Sequence, residues 1–258
     1  MQSISKEAIE SHLTTRVFGH PLTVVETAAS TNDAVRRLGE QHAPEGAAVA
    51  ANRQEAGRGR RGRSFFSPEG GVYLSILLRP KPEAAGLITS AAAVAAARAI
   101  ESLVPVTVGI KWVNDLWLNG KKVCGILAEG VPGDEPSVAL GIGVNVAGTS
   151  FPPQLQGIAT SLEAEGYEVD RNALIAAILR EWEALYPTVA SGDFLGESRR
   201  RSVVLGKELR IIQGECVTSG VGVDLDEAGH LIVEVAGERR TLSSGEVSVR
   251  LPGDPLPE

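Results

Sequence analysis

The chain has 258 residues, of which 43% are hydrophobic and 22% are charged, and its 25 basic and 32 acidic side chains give a formal net charge of −7. These values are typical of folded globular proteins and exclude disordered, collagen-like and fibrous chains. The negative charge argues against nonspecific binding of nucleic acid over the whole surface.

The first two hundred residues predict a mixed α/β domain. Residues with helical spacing predict helices at about 5–14, from 31 onward, at 84–103 and at 171–186. Ser30 is the expected N-cap of the second helix, with Asp33 three residues later as in a capping box. Short apolar runs predict strands at 22–25, 47–51, 72–78, 106–110, 116–118, 123–128 and 138–146.

The pattern changes after about Ser202, where short alternating runs and turn residues replace the long helices. These runs lie at 209–211, 221–225, 231–235 and 247–249. Short strands at this spacing predict a small β-barrel of roughly 45–50 residues. We therefore expect a catalytic or binding domain at 1–202, a small β-barrel domain at 203–250 and a flexible tail at 251–258.

The sequence carries no signal for export or membrane insertion. The first residues lack the basic start and apolar run of a secretory signal. The longest uncharged stretch, 136–162, is interrupted by glycines and prolines, which argues against a spanning helix. Two cysteines, Cys124 and Cys216, make a disulfide framework unexpected. We predict a cytoplasmic protein that does not contact a membrane.

An arginine-rich segment at 53–63 is the first candidate for chemistry. It holds five arginines, one glutamate and three glycines in a chain that is acidic as a whole. Guanidinium groups make bidentate contacts with phosphate or carboxylate, and glycine lets the backbone approach a ligand. A solvated basic loop and an RNA-binding segment are the alternatives. Because aromatic residues near it are few, namely Phe65 and Phe66, the segment better fits a small anionic ligand.

The second candidate is a hairpin around Asn119-Gly120, which is a strong signal for a two-residue turn. In the register that this turn sets, Asp115 pairs with Cys124 and lies diagonally from Lys122 on the same face. That spacing would leave room for a phosphate or a metal ion between the tips of Asp115 and Lys122. An ordinary surface hairpin with a solubilising lysine is the alternative.

The third candidate is the predicted strand at 138–146, where one face carries Gly141, Gly143 and Asn145 and has almost no side chains. Glycine inside a strand commonly marks the close approach of a ligand or of another backbone. The face therefore predicts a floor for a flat, compact ligand, with a bulge or tight sheet packing as the alternative. The segment lacks the third glycine and the helix of a dinucleotide-binding motif.

Taken in order, these segments resemble the biotin–protein ligase family. The matching pieces are Ser30-Thr31-Asn32, Gln54, 57–63, 111–115, Lys122, 125–127 and 141–145. The likeness runs from about residue 30 to residue 145, and the small β module also matches. Two positions depart from the family pattern, which usually has proline at Val113 and tryptophan at Phe65.

The resemblance implies a class II synthetase-like mixed sheet flanked by helices, with a small SH3-like β-barrel behind it. It implies an ATP-dependent biotin–protein ligase. Biotin would attack MgATP to give biotinyl-5′-AMP and pyrophosphate. A lysine of the biotin carboxyl carrier protein of acetyl-CoA carboxylase, or of a related biotin carboxylase, would then accept biotin. Only about 20 residues precede the first strand, so we expect the monofunctional form without DNA binding. A sheet edge could pair with the carrier or with a second copy in a homodimer.

The resemblance also implies roles for individual residues. Catalysis is assigned to Lys122, Arg60 and Asp115. The residues implied for biotin are Ser30, Thr31, Asn32, Gln54, Gly57, Arg58, Arg60, Lys122, Gly125, Gly141 and Gly143. The residues implied for ATP are Arg58, Arg60, Arg61, Arg63, Phe65, Asn114, Asp115, Lys122 and Asn145, with Phe65 stacked on adenine. Asp115 would help to hold Mg²⁺ that arrives on the ATP phosphates.

Two other functions remain as alternatives. A lipoate or octanoate ligase or transferase shares the architecture and attaches a different acid to a similar carrier lysine. An RNA-binding or regulatory protein would use the arginine segment on phosphates, and its binding would depend steeply on salt.

Overall fold

The computed structural model describes residues 3–133, 136–243 and 247–251, and within them seven strands form one mixed sheet. The strand order is β1-β2-β3-β7-β6-β5-β4, and only β1 and β2 run parallel among the described neighbours. The strands are β1 (Leu22–Ala28), β2 (Ala48–Gln54), β3 (Val72–Leu78), β4 (Gly109–Lys111), β5 (Asp115–Leu118), β6 (Lys121–Val131) and β7 (Ser137–Val144).

One face of this sheet is covered by helices that form the main core. The helices of the described chain are α1 (Lys6–His12), α2 (Thr31–Glu40), α3 (Ile88–Glu101), α4 (Arg171–Leu185) and α5 (Leu195–Arg201). α3 is rich in buried alanines, so α4 and the sheet can approach it closely. Length and composition alone would let Pro82–Glu101 cross a membrane, but most of this stretch is buried within the protein, as in a core helix.

The opposite face of the sheet is covered by α2 over only part of its area. Val35 of α2 packs against Val49, Leu77 and Ala139 in a small apolar cluster. Beyond this cluster, residues of β3, β6 and β7, three of them glycines, border an open cleft. The N-terminal end of α2 lies at the edge of this cleft, which is where the functional residues collect.

A second, antiparallel sheet follows α5, with the order β11-β10-β9-β8-β12 among the described strands. Its strands are β8 (Glu208–Gln213), β9 (Cys216–Leu225), β10 (Leu231–Val235), β11 (Glu238–Leu242) and β12 (Val247–Arg250). Trp112 and Val113, from the loop between β4 and β5, pack into the apolar cluster of this second sheet. The Trp112 indole also donates a hydrogen bond to the Gly229 carbonyl at 3.0 Å. This loop is therefore held between the two sheets.

The predicted fold class is confirmed, since a mixed sheet flanked by helices precedes a small antiparallel sheet that fits an SH3-like barrel. Ser30 is the N-cap of α2, as predicted, although its side chain makes no capping hydrogen bond. The short elements α5 and β11 were not predicted, because their residues are mostly polar. The division at residue 202 stays a prediction, and residues 252–258 of the predicted tail lie outside the described residues.

Trp182 on α4 tests the core that supports the sheet. Its side chain is fully buried and packs edge-on against Phe18. We expect Trp182→Ala to lower the free energy of unfolding by about 3–5 kcal/mol, because a large cavity is left behind. Urea denaturation followed by circular dichroism measures this. Leu103→Ala, at a side chain that is 40% exposed, is the control and should change the unfolding free energy by roughly 0.5 kcal/mol or less.

Candidate functional site

The arginine-rich segment folds into a short hairpin, Gly57–Phe65, which we call the arginine hairpin. Arg58 and Ser64 form an antiparallel bridge, and the Phe65 amide donates to the Gly57 carbonyl at 2.8 Å. A Cβ atom at Gly57 would lie 2.5 Å from the Phe65 carbonyl oxygen. Glycine at position 57 therefore allows the two sides of the hairpin to approach each other.

The arginine hairpin forms one wall of a cleft that we call the basic cleft. Its other walls are the loop between β4 and β5, the start of β6 and the end of β12. The described side chains that line it include seven basic groups and one acidic group, so the cleft attracts anions. The basic residues are Arg58, Arg60, Arg61, Arg63, Lys111, Lys122 and Arg250, and the acidic residue is Asp115.

Lys122 and Asp115 form a direct ion pair in this cleft, with Nζ and Oδ1 2.6 Å apart. Both side chains are about one-quarter exposed, at 27% and 24%. The predicted gap between their tips is therefore wrong, since the two groups touch. A ligand that approaches this point meets a lysine whose position is already fixed by a carboxylate.

The hairpin register explains this difference. Asn119 and Gly120 both have positive φ, as a two-residue turn requires, and this part of the prediction is confirmed. An irregularity between Leu116 and Trp117 then shifts the pairing by one residue. Asp115 consequently lies opposite Gly125 rather than Cys124.

Cys124 lies on the other face of β6 from the cleft. It is opposite Leu116 and fully buried in the main core, so the predicted shared face with Asp115 is wrong. Burial raises the pKa of its thiol above the ordinary value. Cys124 is therefore a packing residue in this structure.

Arg60 is a partly buried arginine of the hairpin that lines the basic cleft. Its Nη1 donates to Asn114 Oδ1 at 3.3 Å. Burial holds the pKa of Arg60 below its ordinary value, while nearby Asp115 opposes this effect. Arginine stays charged in proteins. A positive charge that has lost part of its water interacts more strongly with an anion beside it.

A second cleft adjoins the first, and we call it the neutral cleft. It is bordered by the N-terminal end of α2, the end of β2 and the central strands β3, β6 and β7. Among the described residues that line it, Arg58 is the only charged one. Arg58, Phe65, Gly125 and Leu127 line both clefts, so the two clefts meet at the Phe65 ring.

A hydrogen-bond network fixes the polar side chains of the neutral cleft. Gln54 Oε1 accepts from the Thr31 amide at 2.8 Å and from the Thr31 hydroxyl at 3.1 Å. Gln54 Nε2 donates to Ser67 Oγ at 3.0 Å. The buried Ser75 hydroxyl lies 2.7 Å from both Thr31 Oγ1 and Asn32 Oδ1. The polar groups are therefore held in place before any ligand arrives.

Arg58 is held by two carboxylates at the base of the arginine hairpin. Its Nη1 and Nη2 donate to the two Asp33 oxygens at 2.6 and 2.7 Å, and Nη2 also donates to Glu129 Oε2 at 2.9 Å. These bonds raise the pKa of Arg58, and the Arg58 bond holds the pKa of Asp33 below its ordinary value. The positive charge of Arg58 is thus compensated by the protein itself.

The predicted bare face of glycines is partly covered by side chains of the protein. A Cβ atom at Gly141 would overlap Asn32 Oδ1, and one at Gly143 would lie 2.6 Å from the Phe65 ring. A Cβ atom at Gly125 would lie 2.9 Å from the same ring. The alternative of tight packing therefore holds at these glycines, and the expectation of a floor for a ligand stays a prediction. The glycines admit Asn32 and Phe65, and only the remaining surface borders the clefts.

Most of the residues singled out in the sequence come together here. In the described structure, all residues assigned to biotin, ATP or catalysis line one or both clefts, except Gly57 and Asn145. The Asn145 side chain instead donates to the Thr160 carbonyl at 3.0 Å. The assigned roles of all these residues in binding or catalysis stay predictions.

Several residues of the site were not predicted. The sequence could have indicated Ser75, because it alternates with the apolar residues of β3 that face the main core and therefore faces the other side of the sheet. Asp33 was noted only for helix capping, and Glu129 had no assigned role. Arg250 comes from the second sheet, and nothing local to its sequence indicates the cleft.

Whether the basic cleft could hold a magnesium ion depends on which oxygen ligands its side chains offer. No group of three or more His, Cys, Asp or Glu residues that could hold a metal ion occurs in the part of the chain that the structure describes. Mg²⁺ commonly uses one or two carboxylates together with the phosphates of a substrate. Asp115, the acidic residue of the basic cleft, fits the role of a supplementary ligand to a metal that phosphates carry.

Comparisons with known families and proteins follow the same division of the chain. The biotin/lipoate A/B protein ligase family matches residues 24–146, and the biotin protein ligase C terminal domain matches residues 204–250. The chain is 34% identical to the bifunctional ligase/repressor BirA of Bacillus subtilis, over 95% of this chain and 79% of that protein.

Two further comparisons also identify biotin ligases as similar proteins. The chain is 33% identical to the biotin–[acetyl-CoA-carboxylase] ligase of Mycobacterium tuberculosis, over 88% of each protein. The structure of biotin protein ligase from Aquifex aeolicus in complex with biotin and ATP is similar, with a TM-score of 0.77 and 28% identity. That match covers 89% of this chain and 98% of the other.

Gly141 tests whether the glycines of the sheet are needed for close approach. We expect Gly141→Ala to lower the free energy of unfolding by about 1–3 kcal/mol, because the added methyl group displaces Asn32. Gly130→Ala is the control, since a Cβ atom at Gly130 of β6 meets nothing within 4 Å. Urea denaturation of both variants measures the difference. Equal stability of the two would contradict the packing described for Asn32.

Proposed function

The chain belongs to the biotin–protein ligase family, and we propose that it activates biotin with MgATP and then transfers biotin to a lysine of a biotin carboxyl carrier protein. The observation that supports this most directly is the meeting of the neutral cleft and the basic cleft at Phe65. A ligand with an uncharged ring system and a carboxylate tail fits this pair, with its ring in one cleft and its tail at the other.

In the first step, a carboxylate oxygen of biotin attacks the α-phosphorus of MgATP. A phosphorus–oxygen bond forms, the bond between the α-phosphorus and the bridging oxygen breaks, and pyrophosphate leaves. The two reactants are both anions and repel each other. The excess of basic side chains in the basic cleft offsets this repulsion, and Mg²⁺ neutralises part of the triphosphate charge.

We assign Lys122 to the charge that develops on the α-phosphoryl oxygens. Its ammonium group lies 5.7 Å from the centre of the Phe65 ring, near the junction of the clefts, and its partner Asp115 fixes its position. A charge held at the reacting atoms stabilises the transition state more than the ground state. Arg60 and Asn114 are assigned to the phosphates on the other side of the cleft.

The neutral cleft is assigned to the ring system of biotin. Thr31, Asn32 and Gln54 offer polar atoms whose orientations their own hydrogen bonds restrict. Phe65 lines both clefts, so we expect it to contact both substrates rather than adenine alone.

In the second step, the amine of the carrier lysine attacks the acyl carbon of biotinyl-5′-AMP. A carbon–nitrogen bond forms, the carbon–oxygen bond to AMP breaks, and the amine loses a proton to solvent. Asp115 is assigned to orient the incoming amine at the junction. The names of relatives such as the Mycobacterium tuberculosis enzyme support acetyl-CoA carboxylase as the source of the carrier. The proposal includes a cytoplasmic location for the chain.

Biotin is favoured over lipoate as the acid. The family that matches residues 24–146 includes both kinds of ligase, but the domain that matches residues 204–250 is that of biotin protein ligase. The second sheet, which lines the basic cleft through Arg250, is thus the part of the chain that supports biotin.

The function is tested by incubating the chain with a biotin carboxyl carrier domain, biotin and MgATP, followed by mass spectrometry of the carrier. We expect one biotin-sized addition on one lysine. A carrier with that lysine replaced by arginine is the control and should gain no mass. Labelling with lipoate or octanoate but not with biotin would indicate the alternative ligase, and no labelling with any of them would refute the proposal.

Lys122→Ala tests the assignment of the ammonium group. We expect biotin-dependent exchange between pyrophosphate and ATP to fall by about 100-fold or more, because a charge at the reacting phosphoryl group is lost. Binding of biotin alone, measured by calorimetry, should change far less. The neighbouring Lys121→Ala is the matched control, since Lys121 does not line either cleft in the described structure. Normal exchange in Lys122→Ala would remove Lys122 from the mechanism.

A further inference from the structure

Three charged side chains meet at the base of the arginine hairpin, namely Asp33, Arg58 and Glu129. Asp33 belongs to the first turn of α2, and Glu129 belongs to β6. The Arg58 guanidinium donates to both carboxylates at 2.6 to 2.9 Å. The three side chains are 26–33% exposed, so water reaches them only in part. One guanidinium therefore ties the hairpin to a helix and to the central sheet at once.

Glu129 also connects this cluster to the neutral cleft. The same oxygen, Oε2, that accepts from Arg58 accepts from Asn32 Nδ2 at 2.7 Å. Asn32 continues through Oδ1 to the buried Ser75 hydroxyl. The hairpin and the polar network of the neutral cleft thus share one carboxylate oxygen.

Neither Asp33 nor Glu129 lines either cleft in the described structure, whereas Arg58 lines both. The two carboxylates can therefore reach a ligand only through groups that they hold. Arg58 also sits in the bridge to Ser64 that closes the hairpin. A carboxylate pair that fixes Arg58 consequently fixes where the hairpin lies.

We propose that Asp33 and Glu129 are positioning residues that hold the arginine hairpin closed over the junction of the two clefts, so that the acyl-adenylate stays bound until the carrier lysine attacks it. This inference rests on the proposed function. It assigns no bond-making step to either carboxylate. An open hairpin would let the mixed anhydride escape to water or to unrelated amines.

The test compares Asp33→Asn and Glu129→Gln with the unaltered chain. Each change keeps the size of the side chain and removes its negative charge. In Asp33→Asn, an amide NH2 group also replaces one of the two oxygens that accept from Arg58. We expect the AMP released per biotin placed on the carrier to rise about fivefold, and labelling of free polylysine to rise with it, because charge-assisted bonds to Arg58 are lost. Biotin-dependent exchange between pyrophosphate and ATP should stay within about threefold in Asp33→Asn, since Asp33 lines neither cleft in the described structure.

Glu55→Gln is the matched control, because Glu55 is a carboxylate close to the hairpin that is 67% exposed and pairs only loosely with Arg53 at 4.0 Å. It should leave the ratio of AMP to labelled carrier unchanged. A double-mutant comparison adds a readout that general destabilisation would not reproduce. If Asp33 acts through Arg58, adding Asp33→Asn to Arg58→Ala should raise the ratio little beyond Arg58→Ala alone.

Hydrogen exchange of the amides at 59–64, without substrates, measures the position of the hairpin independently of the reaction. We expect faster exchange in Asp33→Asn and Glu129→Gln than in Glu55→Gln. Variants that retain both the ratio and the exchange rates of the unaltered chain would overturn the inference. A full additional effect of Asp33→Asn on the Arg58→Ala background would overturn it too. An unaltered chain without biotin-dependent exchange would instead refute the proposed function, and the amide measurement would still decide whether the carboxylates hold the hairpin.

Discussion

The close approach of Asn32 and Phe65 to the glycines of β6 and β7 is the constraint on which the whole site depends. A Cβ atom at Gly143 or Gly125 would press into the Phe65 ring, and one at Gly141 would overlap Asn32. Side chains at these positions would push away both the N-terminal end of α2 and the end of the arginine hairpin. The neutral cleft and the basic cleft would then no longer meet at one point. The function that we propose needs that meeting point, because its two substrates must come within bonding distance.

Charge in the site is divided among groups with different surroundings. Arg58 is bound by two carboxylates and Lys122 by one, so both are fixed in position. Arg60 is held by the amide oxygen of Asn114 and has lost much of its water. A fixed and partly dehydrated charge acts on a nearby anion without first reorganising solvent. The arginines of the hairpin therefore differ in their electrostatic effect on a ligand. Carboxylates compensate the charge of Arg58, whereas Arg60 contacts a neutral amide oxygen.

The sequence predicts the fold well wherever the signal is local. The turn at Asn119-Gly120 needs positive φ at both positions, and only a few residue types meet that need, so its position was predictable. The pairing of Asp115 was not, because the irregularity at Leu116 depends on how the strands pack and not on a residue pattern. Gly141 was recognised as a place of close approach, but its partner, Asn32, lies more than one hundred residues earlier in the chain. Sequence spacing gives no distance between such residues.

The contacts between the second sheet and the loop after β4 also join residues that are far apart in the sequence, so sequence spacing did not predict them. Trp112 buries its ring among the apolar side chains of that sheet and donates its indole hydrogen to the Gly229 carbonyl. Asn114 and Asp115 follow Trp112 by two and three residues, so an anchor at Trp112 restricts where both can lie. Loss of this contact would expose a large apolar ring and leave two polar partners unsatisfied, and both effects oppose movement of the loop. The small β module is thus part of the wall of the basic cleft, both through the loop that it fixes and through Arg250, which lines the cleft itself.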